Sequence, residues 1–228
     1  MNLKIPRIKI CCIQSIDEAR LAIRYGASLV GLVSAMPSGP GPIPDTKIRE
    51  IAMMIPPGIT SVLLTSKTRI DEIIEQHCFC ATNAIQLVDR LTVGTLSELR
   101  SALPGVDIIQ VIHVTGDSAI TDGKDAAPFV HAILLDSGNP NAQIKTLGGT
   151  GKTHNWQISR QIVEIVDVPV FLAGGLTPSN ISQAIVKVHP FGVDVCSGVR
   201  SNVQLDENKL RLFTCQVRDV ENSSAANI

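Results

Sequence analysis

The chain has 228 residues, 44% of them hydrophobic and 18% charged, and its 20 Lys plus Arg nearly cancel its 21 Asp plus Glu to leave a formal net charge of -1 at pH 7. Sparse charge with apolar residues spread throughout excludes intrinsic disorder and coiled coil. Balanced charge and 3% aromatics supply neither the basic face nor the stacking platforms of a nucleic-acid binder, and no uncharged apolar stretch approaches the roughly 18 residues of a membrane span.

The segment Met1 to Arg7 carries charge and a proline but no apolar run, so it does not read as a secretory signal. From there short β-type runs alternate with helical patterns. Ile8–Ile13 is rich in β-branched residues; Ser15 then reads as an N-cap with Glu18 closing a capping box, and the helix stops at Gly26. Leu29–Val33 follows, then a Pro/Gly-rich loop from Pro37 to Pro44 and a helix from Thr46 to Met54. The pattern continues with Thr60–Leu64 and helix 69–77, Ala84–Val88 and helix 95–103, then Val106–Val114 and a weak, polar segment. Val130–Leu135, a long loop and helix 156–166 come next, then Val168–Ala173 with helix 178–187, and Gly192–Cys196 with helix 205–217. The tail after Val220 reads as a frayed end.

About eight strand–helix units with strands apolar on both faces suit a parallel sheet. Eight units in 228 residues match a single (β/α)8 TIM barrel spanning 1–228, with no composition shift to mark a domain boundary. The six cysteines at 11, 12, 78, 80, 196 and 215 include no CxxC pair, so reduced thiols in a cytoplasmic protein, with no metal, are expected.

In such a barrel the working residues lie at the C-terminal strand ends and in the loops that follow. Strand alternation puts Cys11 on one face with Lys9 and Ile13, and Cys12 on the other with Ile8 and Ile10. The face carrying Lys9 is the lumen, so Cys11 points into the barrel mouth and Cys12 into the helix layer. Asp136 ends the sixth strand on a face with Ala132 and Leu134, where a carboxylate is costly without a partner or a task. A thiol and a carboxylic acid facing each other suit proton transfer from carbon and to oxygen. A thiol pKa of about 8.5 needs lowering for that task, and Lys9 is a candidate to lower it.

The run Gly148-Gly149-Thr150-Gly151-Lys152-Thr153 tempts a P-loop reading, but Thr146 stands where the first glycine belongs; a mobile lid is the better reading. Gly174 and Gly175 after the seventh strand, and Ser197 and Gly198 after the eighth, mark the usual phosphate site of a barrel.

Together these segments resemble the phosphoribosylanthranilate isomerase family of tryptophan biosynthesis. The residues that carry the resemblance are Lys9-Ile10-Cys11, Ile85-Gln86-Leu87, Leu134-Leu135-Asp136, the glycine-rich run 148–153 with Trp156, Leu172 through Asn180, and Gly192 through Val199. The resemblance implies an Amadori rearrangement of N-(5-phosphoribosyl)anthranilate without cofactor or metal. It makes Cys11 the general base and Asp136 the general acid, puts the phosphate at Gly174, Gly175, Ser197 and Gly198, and matches Asp194 as well. A phosphorylated small molecule is then the partner, and a monomer or homodimer is expected. The alternatives are a same-fold isomerase acting on a different phosphorylated aminosugar, and a non-catalytic phospho-ligand-binding barrel.

Four positions depart from the family pattern. Gly41 stands near where a loop arginine for the anthranilate side is usual, and Cys12 replaces the glycine that follows the first-strand cysteine. Val88 replaces a histidine and Arg200 a glutamate. Arg90, His113 and Arg200 are candidates for a substitute cation.

Overall fold

The β-branched and leucine-rich runs become strands buried on both faces, which only a sheet covered by helices outside and side chains inside permits. The computed structural model describes residues 5–138 and 153–225, the last five as backbone only. Strands β1 (Arg7–Ile10), β2 (Leu29–Val33), β3 (Thr60–Thr65) and β4 (Ala84–Leu87) lead into β5 (Asp107–His113), β6 (Ala132–Asp136), β7 (Val170–Leu172) and β8 (Gly192–Val195). Each strand pairs in parallel with the next, and β8 pairs with β1 to close an eight-stranded barrel. Around it lie α1 (Ile16–Arg24), α2 (Asp45–Ala52), α3 (Ile70–Cys80), α4 (Leu96–Ala102), α5 (Ser118–Ala126), α6 (Trp156–Ile165), α7 (Ile181–Val188) and α8 (Glu207–Ala225).

Alternation divides the core in two. Ile8, Ile10, Leu63, Ile85, Ile133 and Val193 pack outward against the helices, while Leu64, Val88, Ile109, Val111, Leu134 and Phe171 fill the lumen. The fold is a (β/α)8 TIM barrel.

Three local features differ from the sequence expectation. Ser15 caps α1 by accepting from the Glu18 N–H at 3.1 Å, but the Glu18 carboxylate takes the Gln14 N–H at 2.9 Å, one residue before the N-cap, so no reciprocal box closes. The polar segment after β5 is the helix α5; its buried side is Ala119, Gly123 and Ala126, residues too small to register as an apolar stripe, and Gly123 lets Ile162 of α6 approach. A hairpin of β9 (Arg200–Ser201) and β10 (Gln204–Leu205) is inserted before α8, which itself runs past position 220 to Ala225.

Candidate active site

β1 ends at Ile10, and the chain leaves it through Cys11 and Cys12. Cys11 is 5% exposed and lines a cavity that opens at the barrel mouth. Asp136, the last residue of β6, lines the same cavity and is 8% exposed. The two residues singled out for proton transfer are thus brought together at the end of the barrel where strands deliver function.

Their electrostatics differ. A hydrogen bond from the Cys12 thiol and the nearby Lys9 ammonium draw the Cys11 thiol below its ordinary pKa, against the opposing effect of burial. Burial drives the Asp136 carboxyl above the ordinary carboxylate range, although the Ser137 N–H donates to its Oδ1 at 2.8 Å. Beneath Cys11, Lys9 is fully buried and donates to Asp194 at 2.9 Å. Burial alone would lower the ammonium's pKa, but Asp194 and the thiols raise it, so Lys9 stays charged. Gly31 makes room for this group: a Cβ there would lie 2.9 Å from the Cys11 Sγ and 3.1 Å from the Lys9 Nζ.

Cys12 corrects the sequence reading. With φ at 62° it takes the left-handed conformation, which costs a non-glycine residue roughly 1–2 kcal/mol and ends strict alternation. Its side chain turns back to line the cavity beside Cys11 and Cys196, with Sγ 3.5 Å from the Pro40 carbonyl, and Ile13 packs outward instead. The loop after β2 closes over Cys12. A Cβ on Gly41 would lie 2.6 Å from the Cys12 Cβ, so the thiol-bearing carbon occupies the space a residue-41 side chain needs.

The loops after β7 and β8 form the adjoining wall, since β8 pairs with β1. Gly174 and Gly175 have φ of 82° and 61°, and Asn180 pins their loop by donating to the Gly175 carbonyl at 2.9 Å and accepting from the Thr177 N–H at 2.8 Å. Gly174, Gly175, Ser197 and Asp194 line the cavity. Gly198 lies behind them, its α-carbon so close to the Leu176 carbonyl that no side chain fits. Of the glycine-rich run 148–153, read as a lid, all but Thr153 lie outside the described residues.

Two of the expected substitute cations are elsewhere. Arg90 is exposed and pairs with Asp122 at 2.5 Å on the outer surface. Arg200 is buried, holds Glu18 at 2.9 Å through both terminal nitrogens, and donates to the carbonyls of Val203 and Cys12. That network fixes the Cys12 backbone and leaves Arg200 no reach into the cavity. His113 stands in register with Asp136 but outside the cavity lining, its Nε2 3.0 Å from the Val88 carbonyl. No Lys, Arg or His is among the described residues of the lining. Sequence reasoning also passed over Gln86 as a site residue: it sits on β4 in the lining, and only its surroundings, not its place in an apolar strand, distinguish it.

Comparison with known proteins fits this geometry. The model of the N-(5'phosphoribosyl)anthranilate (PRA) isomerase family matches residues 8–216. N-(5'-phosphoribosyl)anthranilate isomerase 2 of Methanosarcina mazei is 35% identical over 93% of this chain and 94% of its own. The crystal structure of phosphoribosyl anthranilate isomerase from Thermotoga maritima superposes with a TM-score of 0.78 at 26% identity, over 94% of this chain and 99% of that one. A further isomerase structure, in complex with reduced 1-(o-carboxyphenylamino)-1-deoxyribulose 5-phosphate, gives a TM-score of 0.75 at 24% identity, covering 94% and 99%. A family match from the first strand to the last helix, on a barrel whose mouth joins a thiol, a carboxyl and two glycine loops, makes this chain a member of the phosphoribosylanthranilate isomerase family.

Proposed function

We propose that this protein isomerises N-(5'-phosphoribosyl)anthranilate to 1-(2-carboxyphenylamino)-1-deoxyribulose 5-phosphate, a step of tryptophan biosynthesis, with Asp136 as general acid and Cys11 as general base. One observation carries the reading: a carboxyl biased toward its protonated form and a thiol biased toward its thiolate line a single cavity. The Asp136 carboxyl gives its proton to the furanose oxygen, so the C1–O bond opens and a Schiff base forms. The Cys11 thiolate removes the C2 proton, the electron pair moves toward nitrogen, and the resulting enolamine becomes the C2 ketone as C1 takes up a proton and the C2 hydroxyl gives one up. Backbone N–H groups of Gly174, Gly175, Ser197 and Gly198 receive the phosphate. The scheme needs no cofactor or metal. We further take the protein to work in the cytoplasm as a monomer or homodimer, which light scattering on the purified protein resolves.

A second reading is favoured by the lack of a cation among the described residues of the lining: a phosphorylated aminosugar whose aryl group lacks the carboxylate. The test follows the loss of phosphoribosylanthranilate fluorescence with wild type, Cys11→Ala and Asp136→Asn. Turnover in the wild type that drops by about 10²–10⁴-fold in each variant is expected. A folded wild type that leaves phosphoribosylanthranilate untouched but turns over the aniline adduct replaces the first reading with the second.

A further inference from the structure

Among the described residues three glutamines are buried: Gln76, Gln86 and Gln110. Gln76 accepts from the Thr65 hydroxyl and donates to Asp45, and Gln110, on the helix side of β5, donates to the carbonyls of Leu87, Asp89 and Val111. Both are structural. Gln86 differs: it shares the lumen face of β4 with Ala84 and Val88, is 3% exposed, and its Oε1 has no hydrogen-bond partner among the described residues. An acceptor buried without a partner destabilises the free protein, and such atoms in native folds call for an explanation. Other buried atoms also lack partners, on His77, His113, His154, Trp156 and Arg200, but none of those residues lines the cavity that holds Cys11 and Asp136.

The position of Gln86 says which substrate group completes it. One end of the cavity is made by the glycine loops after β7 and β8; the other is apolar, with Val33, Met36, Leu64 and Val88. A phosphate at the first end and an aryl ring at the second leave the linking nitrogen between them, beside β4. That nitrogen carries a hydrogen in the substrate, in the protonated Schiff base and in the product. We infer that the Gln86 Oε1 accepts a hydrogen bond from the substrate's anilino N–H and keeps that nitrogen protonated while Cys11 removes the C2 proton. This rests on the isomerase reading above. A neutral amide oxygen suits the task, because its bond to N–H strengthens as the nitrogen becomes cationic and Gln86 itself neither gains nor loses a proton. An interaction that strengthens along the reaction is read in kcat rather than in KM.

Gln86→Met, which keeps the length and removes the acceptor, is therefore expected to lower kcat by roughly 10-fold to 100-fold with little change in KM; Gln86→Leu is the second variant if the first fails to fold. The decisive experiment measures binding of two probes by calorimetry: the reduced product, an aryl amine, and its isostere with an ether oxygen in place of N–H. Wild type should prefer the amine by roughly 10-fold or more, and the variant should lose that preference by binding the amine more weakly while the ether is unchanged. Equal weakening of both probes, or a preference that survives in a folded variant, overturns the inference and leaves the isomerase standing. Wild type that binds neither probe overturns the isomerase reading and this one with it.

Discussion

A thiol proposed as a base is helped by a neighbour that donates to its ionised form and by a positive charge nearby, and Cys11 has one of each: the Cys12 S–H and the Lys9 ammonium. The second thiol moves the opposite way, its pKa raised because its proton is held between thiols and it is buried. Removing the donor destabilises the Cys11 thiolate, so its pKa must rise. In Cys12→Ala the pH profile of Cys11 alkylation should therefore shift to higher pH, from a wild-type midpoint below that of an ordinary thiol. The acid limb of the rate profile should shift with it if thiolate formation limits that limb. An unmoved alkylation midpoint would show that Cys12 tunes nothing. The placement of Cys11 and Asp136 at the barrel mouth was legible in the sequence because alternation along a strand is enough to aim a side chain. Cys12 was not, since alternation ends where the backbone turns left-handed. Arg200 was misjudged for a different reason: its partner Glu18 lies 182 positions away, and no local pattern announces that pair.

At the scale of elements, the eight strands and seven of the eight helices were readable from hydrophobic periodicity, whereas α5, with its small buried residues, and the β9–β10 hairpin left no periodic trace. The hairpin matters to the site. Through Arg200 it ties the loop after β8 to Glu18 of α1 and to the carbonyl of Cys12. The loops after β7 and β8 are likewise one unit, since the backbone at Gly198 abuts the Leu176 carbonyl. Both sides of that contact are backbone, so neither yields by rotating a side chain. Gly198→Ala should force the two loops apart, costing about 1–3 kcal/mol of stability. Because those loops carry the proposed phosphate site, KM should rise more than kcat falls. Unchanged KM and unchanged urea midpoint would refute the coupling.

For the whole molecule, the decisive seam is where β8 returns to β1. Lys9 and Asp194 are partners in register across it, and their side chains form a buried ion pair. Breaking such a pair from one side strands a charge in the core, so Lys9→Met alone should destabilise the barrel by about 3–5 kcal/mol in urea unfolding. The double replacement Lys9→Met with Asp194→Leu should recover much of that loss, because two desolvated charges are replaced by packing. If the double variant is no more stable than the single, the pair contributes more than mutual neutralisation. Recovery of stability need not bring recovery of activity, since Lys9 also acts on Cys11.

The collision between the Cβ of Cys12 and any side chain at position 41 makes two sites 29 residues apart rivals for one volume. In the history of such a barrel they cannot change in either order. A bulky residue in the loop after β2 has to vanish before a side chain can arrive beside the first-strand thiol, and the reverse journey has to begin by shedding Cys12. A library that varies position 41 against a fixed Cys12 would return mostly glycine, and it would record two constraints at once: the prior claim of its neighbour and the left-handed φ of 79° at position 41 itself.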